Sequence, residues 1–202
     1  KSWLTKRAIP HVTLLLDQPF PRHGIQAFAR KWRFQLLGDW CRINLVDAVM
    51  LAHTIEDQME TIFMRLLANS GPEGLSGMRS NTVVGGLRIL RPLLKISKHR
   101  LIATCRAFNQ EWVLDPTNQD TKYCRVKIRQ MMPDIEKTGL ESNKTLRLAS
   151  AMEKLRDAFD HFSSSFIKNN GGILKTGIAW INVSSFEKMP NKFKELILLR
   201  LL

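Results

Sequence analysis

"VDAVMLAHTIEDQMETIFMRLL", Val46–Leu67, changes its periodicity part-way along. Its first eight residues form a continuous apolar run of strand length, as expected for a strand covered by helices on both faces. A helical pattern then begins within the motif and runs to about Ala68. Where strand meets helix stand His53, Glu56, Asp57 and Glu60, an acidic knot in an otherwise basic chain. In an open α/β sheet, the crevice at the carboxyl end of such a strand is where ligands bind.

Working outward, "GIQAFARKWRFQLLGDWCR" (24–42) sets Ile25, Phe28, Trp32, Leu36 or Leu37 and Trp40 at three- and four-residue steps. That spacing predicts a helix with one apolar face, Trp32 and Trp40 belonging to the core and Arg30, Lys31 and Arg33 to the other side. After the motif, "NSGPEGLSGMRSN" (69–81) holds three glycines and a proline in thirteen residues and reads as a loop. "GLRILRPLL" (86–94) is strand-like, Ser97 caps a helix over 98–109, and "EWVLDPTNQD" (111–120) is a turn. A short basic helix is expected around "YCRVKIRQMMP" (123–133), then a polar linker at 134–143, a long amphipathic helix at 144–166 and a hairpin within 168–186. Alternating strands and helices predict an α/β fold with a parallel sheet. A domain boundary is placed near residue 140, giving domains 1–140 and 141–202.

The chain has 202 residues, 44% of them hydrophobic, enough for a packed core. Its 31 Lys+Arg against 18 Asp+Glu give a net charge of +13, which points to a polyanionic partner, nucleic acid first. The three cysteines, Cys41, Cys105 and Cys124, form no CxxC and no disulfide or zinc spacing, so reduced thiols in a cytoplasmic protein are expected. No apolar stretch is long enough to span a membrane, and the start lacks a secretory signal. The opening "KSWLTKRA" reads as the end of a helix, "HVTLLLD" (11–17) as a strand, and "KELILLRLL" stops inside a helical pattern, so a piece of a longer protein is expected.

The acids allow two readings. Carboxylates in a first turn favour the helix dipole by about 0.3–1 kcal/mol and need no further role. Alternatively, Asp57 and Glu60 share a helix side with Thr61, opposite a packing side of Ile62, Met64, Leu66 and Leu67, and face a ligand. His53, Asp57 and Glu60 could reach one ion, but they form neither HExxH nor a cysteine set, so magnesium held with substrate phosphates suits them better than structural zinc. Arg125, Lys127 and Arg129, three cations in five residues beside a Pro/Asn turn, suit phosphate contacts.

"LAHTIEDQMETIFMRLLANSGPEGLSGM" (51–78), with "RPLL", "DPTN", "CRVKIR" and "GIQAFARKWRFQLLGDWC", resembles the bacterial tRNA(Ile)-lysidine synthetases of the PP-loop ATPase superfamily over about residues 1–165. That family reads AHxxDDQxETxxxRLL, then GSGxxGLxGM, RPLL, DPxN and RNxxR. His53, Asp57, Gln58, Glu60, Thr61, Arg65, Leu66 and Leu67 match the first motif; Ser70, Gly71, Gly74, Leu75, Gly77 and Met78 match the second. Glu56 stands where the first aspartate is usual, Asn69 replaces a glycine, and Val126 replaces the asparagine after Arg125. The family's SGGxDS loop, which holds pyrophosphate, does not occur in these 202 residues.

The resemblance implies a Rossmann-like parallel sheet of the adenine nucleotide α-hydrolase type, followed by a helical connector and part of a smaller tRNA-binding domain. It implies ATP and Mg²⁺ as cofactors, and as partners free L-lysine and tRNA(Ile) with a CAU anticodon, with no membrane; a homodimer is left open. Asp57, Arg33, His53, Glu56 and Glu60 are then the candidate catalytic residues, with Arg33 and His53 at the nucleotide and Asp57 at the metal. Arg65, Arg91, Arg125, Lys127 and Arg129 are the candidate RNA contacts. Two rivals stand beside it: another PP-loop tRNA-modifying enzyme, such as a cytidine thiolase, and a non-catalytic RNA-binding remnant. Lacking the pyrophosphate loop, the chain alone is expected to bind tRNA without catalysing.

Overall fold

A computed structural model describes residues 2–113, 124–140 and 142–201. In chain order the elements are α1 (Ser2–Thr5), α2 (Ile25–Ile43), β1 (Ala48–Met50), α3 (Ile55–Leu67), α4 (Pro72–Leu75), β2 (Asn81–Val84), β3 (Leu87–Leu90), α5 (Lys98–Ala107), α6 (Cys124–Lys137), α7 (Ser142–Asn170), β4 (Gly171–Ile173), β5 (Ala179–Ile181), α8 (Val183–Glu187) and α9 (Asn191–Leu201). They fall into two compact units: Lys1–Thr54 with Arg79–Leu101, and Ile55–Met78 with Ile102–Leu202.

The first unit is built on a sheet of order β1-β3-β2. β1 runs parallel to β3, with Val49 opposite Ile89, and β2 returns antiparallel, with Thr82 opposite Ile89. The expected parallel pairing is present, and an antiparallel edge is added because β2 and β3 are joined by the tight turn Gly85-Gly86, both at positive φ. Cys41 of α2 packs with Leu87 and Ile89, and Phe34, Leu37, Trp40, Val49 and Leu51 close over them. Trp40 therefore belongs to the core, as its helical spacing predicts. Ser97 caps α5, accepting a hydrogen bond from the Arg100 backbone N–H at 3.3 Å.

Two expectations change here. Residues 11–17 form no strand; Val12 and Leu15 are exposed, and no described strand offers them a ladder. β1 is not covered on both faces, since Met50 is 72% exposed. Among the described residues β1 is an edge strand, and an apolar run alone cannot tell an edge from a centre.

In the second unit α3 packs against α6, α4 and α7. α7 thus shares a unit with α3, across the residue-140 boundary of the sequence reading. α6 continues through Pro133 to Lys137, where the sequence suggested a stop and a linker. β4 and β5 form the expected antiparallel hairpin, Gly172 opposite Trp180. Phe166 of α7 and Ile197 and Leu201 of α9 make a separate core, joined by Ile167, Ile181, Phe186 and Met189. The Asp/Pro/Asn turn lies outside the described residues from position 114 onward.

Candidate active site

The acidic knot occupies the first turns of α3, where free N–H groups and the helix dipole favour negative charge. Glu56 is half-buried and the Asp57 side chain is 26% exposed. Glu60, one turn on, is 1% exposed. The buried positions of α3 are Gln58, Met59, Glu60 and Ile62, whereas Met64, Leu66 and Leu67 face solvent. The packing side is therefore rotated from the expected one, because a carboxylate with two cationic partners can be buried where an unpaired one could not.

Those partners are Arg125 and Arg129, four residues apart on one face of α6. Arg125 Nε donates to Glu60 Oε2 and Arg129 Nε to Glu60 Oε1, each at 2.6 Å. Both carboxylate oxygens are engaged, and at 1% exposure Glu60 offers little to a metal ion or ammonium arriving from solvent. The hydrogen bond to Glu60, and beyond it the charges of Glu60, Asp57 and Glu56, hold the Arg129 guanidinium above its usual pKa against the opposing effect of burial. Arg125 Nη2 also lies 3.9 Å from Asp57 Oδ1. Val126, which replaces the family's asparagine, is buried beside Ile128 in the body of α6.

Gln58 fixes the glycine loop. Its Nε2 donates to the Met78 carbonyl at 3.1 Å and its Oε1 accepts from the Met78 N–H at 2.8 Å, so one side chain pairs with the backbone as a neighbouring strand would. Gly77 sits at φ +70°, and a Cβ there would lie 2.7 Å from the Gln58 amide nitrogen. Ser76, buried at the end of α4, accepts from Nη1 of buried Arg156 on α7. Arg156 also pairs with Asp157 at 3.2 Å and Glu153 at 3.4 Å. The sequence reading missed Arg156. A signal existed: Ala149, Arg156 and Ser163 recur every seven residues along the buried stripe of α7.

In the first unit, Arg33 is exposed on α2, and His53 is half-buried just beyond β1. Arg91, expected to contact RNA, is only 6% exposed, and its Nη1 donates to the Arg79 carbonyl at 2.8 Å. Burial first, and then the charge of Arg30, lower its pKa. Arg65 and Lys127 in the second unit are exposed. Among the described residues no group of three or more His, Cys, Asp or Glu side chains converges as a metal cage.

The sequence profile of the PP-loop domain family matches residues 5–135. The chain belongs to this family. A tRNA(Ile)-lysidine synthase of Methylobacterium nodulans is 40% identical over 146 residues, covering 72% of this chain and 43% of that protein. One from Rhodopseudomonas palustris is 33% identical over 201 residues, 96% of this chain and 56% of the relative. The chain spans about half the length of these curated relatives. Among solved structures, the U34-tRNA thiolase NcsA from Methanococcus maripaludis superposes with a TM-score of 0.56 at 14% identity, covering 76% of this chain and 53% of that one, a likeness of fold alone. The α/β reading and the resemblance to the lysidine synthetases are thereby borne out. The match to the PP-loop domain agrees with the expectation of ATP as a cofactor. Within the PP-loop domain, the "EDQMET" segment has a physical content: Gln58 sets the glycine loop and Glu60 ties α3 to α6, while Asp57 is more exposed than Glu60.

Proposed function

We propose that this chain is part of an enzyme that uses ATP to join lysine to the wobble cytidine of tRNA(Ile) bearing a CAU anticodon. The observation that carries the reading is the partly exposed Asp57 carboxylate beside two half-exposed arginines in one unit. A carboxylate can receive the lysine ammonium and guanidinium groups can receive phosphate, and this reaction brings both charges to one place. Its relatives' names and the net charge of +13 agree with that.

In the first step the cytidine C2 oxygen attacks the α-phosphorus of ATP and diphosphate leaves. In the second the lysine ε-amine attacks C2, AMP departs with the former C2 oxygen, and the amine loses a proton. Exposed Arg33 is assigned to the charge that develops on the α-phosphate, and His53 with it to the nucleotide. Glu56 is assigned to the same acidic first turn as Asp57, where it adds negative field for the incoming amine. Mg²⁺, which neutralises phosphate charge when bound, commonly takes one or two carboxylates together with substrate oxygens. Asp57, which belongs to no cage of three or more His, Cys, Asp or Glu side chains among the described residues, fits that mode. Arg65, Arg125, Lys127 and Arg129 are assigned to tRNA phosphates, and buried Arg91 to an inner contact only. Residues 141–202 are assigned to the connector and the start of a tRNA-binding region.

The test is nucleoside mass spectrometry of tRNA(Ile) after incubation with ATP, lysine and the enzyme carrying this chain. Lysidine is expected to appear in step with AMP release. Thiolated cytidine, or no modified base, would overturn the reading.

A further inference from the structure

Glu60 is the deepest charged side chain among the described residues, at 1% exposure, yet the two arginines it binds keep 41% and 38% of their side chains in solvent. Each arginine meets Glu60 through Nε, the nitrogen nearest the backbone, at 2.6 Å. The terminal nitrogens of a guanidinium so held extend beyond the carboxylate, in a fork whose direction is fixed by the Nε bond. Arg125 and Arg129 stand one turn apart, about 6 Å along the helix. One carboxylate therefore aligns two planar cations side by side, and the trio keeps a net positive charge, with the partly exposed Asp57 carboxylate 3.9 Å from Nη2 of Arg125 at its edge.

We propose that Glu60 is a positioning residue, which holds Arg125 and Arg129 by their Nε atoms so that their outer nitrogens form one face for an RNA phosphodiester. This deepens the reading of the site as one that binds tRNA and rests on it. Burial suits the role: a carboxylate held at 1% exposure by two guanidinium groups orients them without competing for substrate ammonium. It also explains why an acid can sit inside a phosphate-binding face at all. Its charge is spent on the inner edge of the arginines, away from the RNA.

The experiment measures tRNA binding by the full chain across a salt series, since each phosphate contact contributes about 0.7–0.9 to the log–log slope. The double variant Arg125→Lys with Arg129→Lys keeps both charges and lets each ammonium pair with Glu60, but it has no second nitrogen to offer outward. Its slope is expected to fall by about 1.4–1.8, with thermal unfolding near that of the unaltered chain. Glu60→Gln removes a negative charge, so attraction by charge alone predicts tighter binding. Positioning predicts weaker binding and a flatter slope. An unchanged slope in the lysine variant, or tighter binding by Glu60→Gln, overturns the proposal. So does lost lysidine formation in Glu60→Gln at unaltered RNA affinity and slope, which would make Glu60 a catalytic residue. If Glu60→Gln does not fold, the lysine variant decides alone. Absence of salt-sensitive tRNA binding by the unaltered chain would instead sink the tRNA reading itself.

Discussion

Three acids within five residues of α3 do not share one environment, since Glu56 and Asp57 are half-buried and Glu60 is buried, and their expected roles differ accordingly. Asp57, 26% exposed, keeps access to solvent, so Asp57→Asn is expected to abolish lysidine formation. As a first-turn acid its structural contribution is only about 0.3–1 kcal/mol, so chemical denaturation should register a small shift. Turnover at the normal rate would leave Asp57 as a helix-terminal charge and nothing more. Glu60→Ala acts in the opposite sense. Breaking a buried ion pair costs about 3–5 kcal/mol when the remaining charge stays buried. Here the stranded arginines are 41% and 38% exposed and can hydrate, so about 1–3 kcal/mol is expected by denaturant titration. Arg33→Ala, on the exposed side of α2, should slow adenylylation by about 10²–10³-fold, as for one lost donor to a developing oxyanion, with tRNA affinity unchanged. Loss of affinity alone would make Arg33 a docking residue.

At the scale of elements, the glycine loop is held from two sides within the second unit, by Gln58 of α3 at Met78 and by Arg156 of α7 at Ser76. Gly77→Ala is expected to cost about 2–3 kcal/mol. The left-handed backbone contributes about 1–2 kcal/mol of that, and the rest comes from the Gln58 amide, which the new Cβ would push out of its two hydrogen bonds. Gly85→Ala, at φ +56° with nothing within 4 Å of the added Cβ, should cost only the backbone part. Equal losses in the two variants, by denaturant titration, would show that Gln58 does not constrain the loop. The motif's glutamine and its glycine were both legible as matches to a pattern. That one pairs with the backbone next to the other was not, because nineteen residues intervene and no local periodicity records a contact across them.

For the whole molecule, the net charge of +13 fixes the sign of its long-range field but not which cations meet a partner. A tRNA contact made through six to ten phosphates would lose about 10³–10⁵ in affinity between 50 and 200 mM salt, measurable by filter binding or fluorescence anisotropy. A salt-insensitive affinity would assign the charge to another purpose. Arg91 shows how coarse the sequence-level count is. It contributes to the +13 as fully as Lys127 does, yet it is 6% exposed and bound to its own chain.

By itself the sequence determined the strand-to-helix switch at Val46–Leu67, the helix over α2, the Ser97 cap, the C-terminal hairpin and the acidic first turn of α3. Each depends on residues close enough in sequence for periodicity, capping or turn chemistry to act locally. Tertiary structure alone decided that β2 runs antiparallel, that residues 11–17 stay outside any strand, that α6 passes through Pro133, and that Glu60 is buried while Leu66 and Leu67 are exposed. Burial of a carboxylate is unfavourable at any position considered alone. It becomes favourable only where two guanidinium groups arrive, and Arg125 and Arg129 arrive from 65 and 69 residues away along the chain.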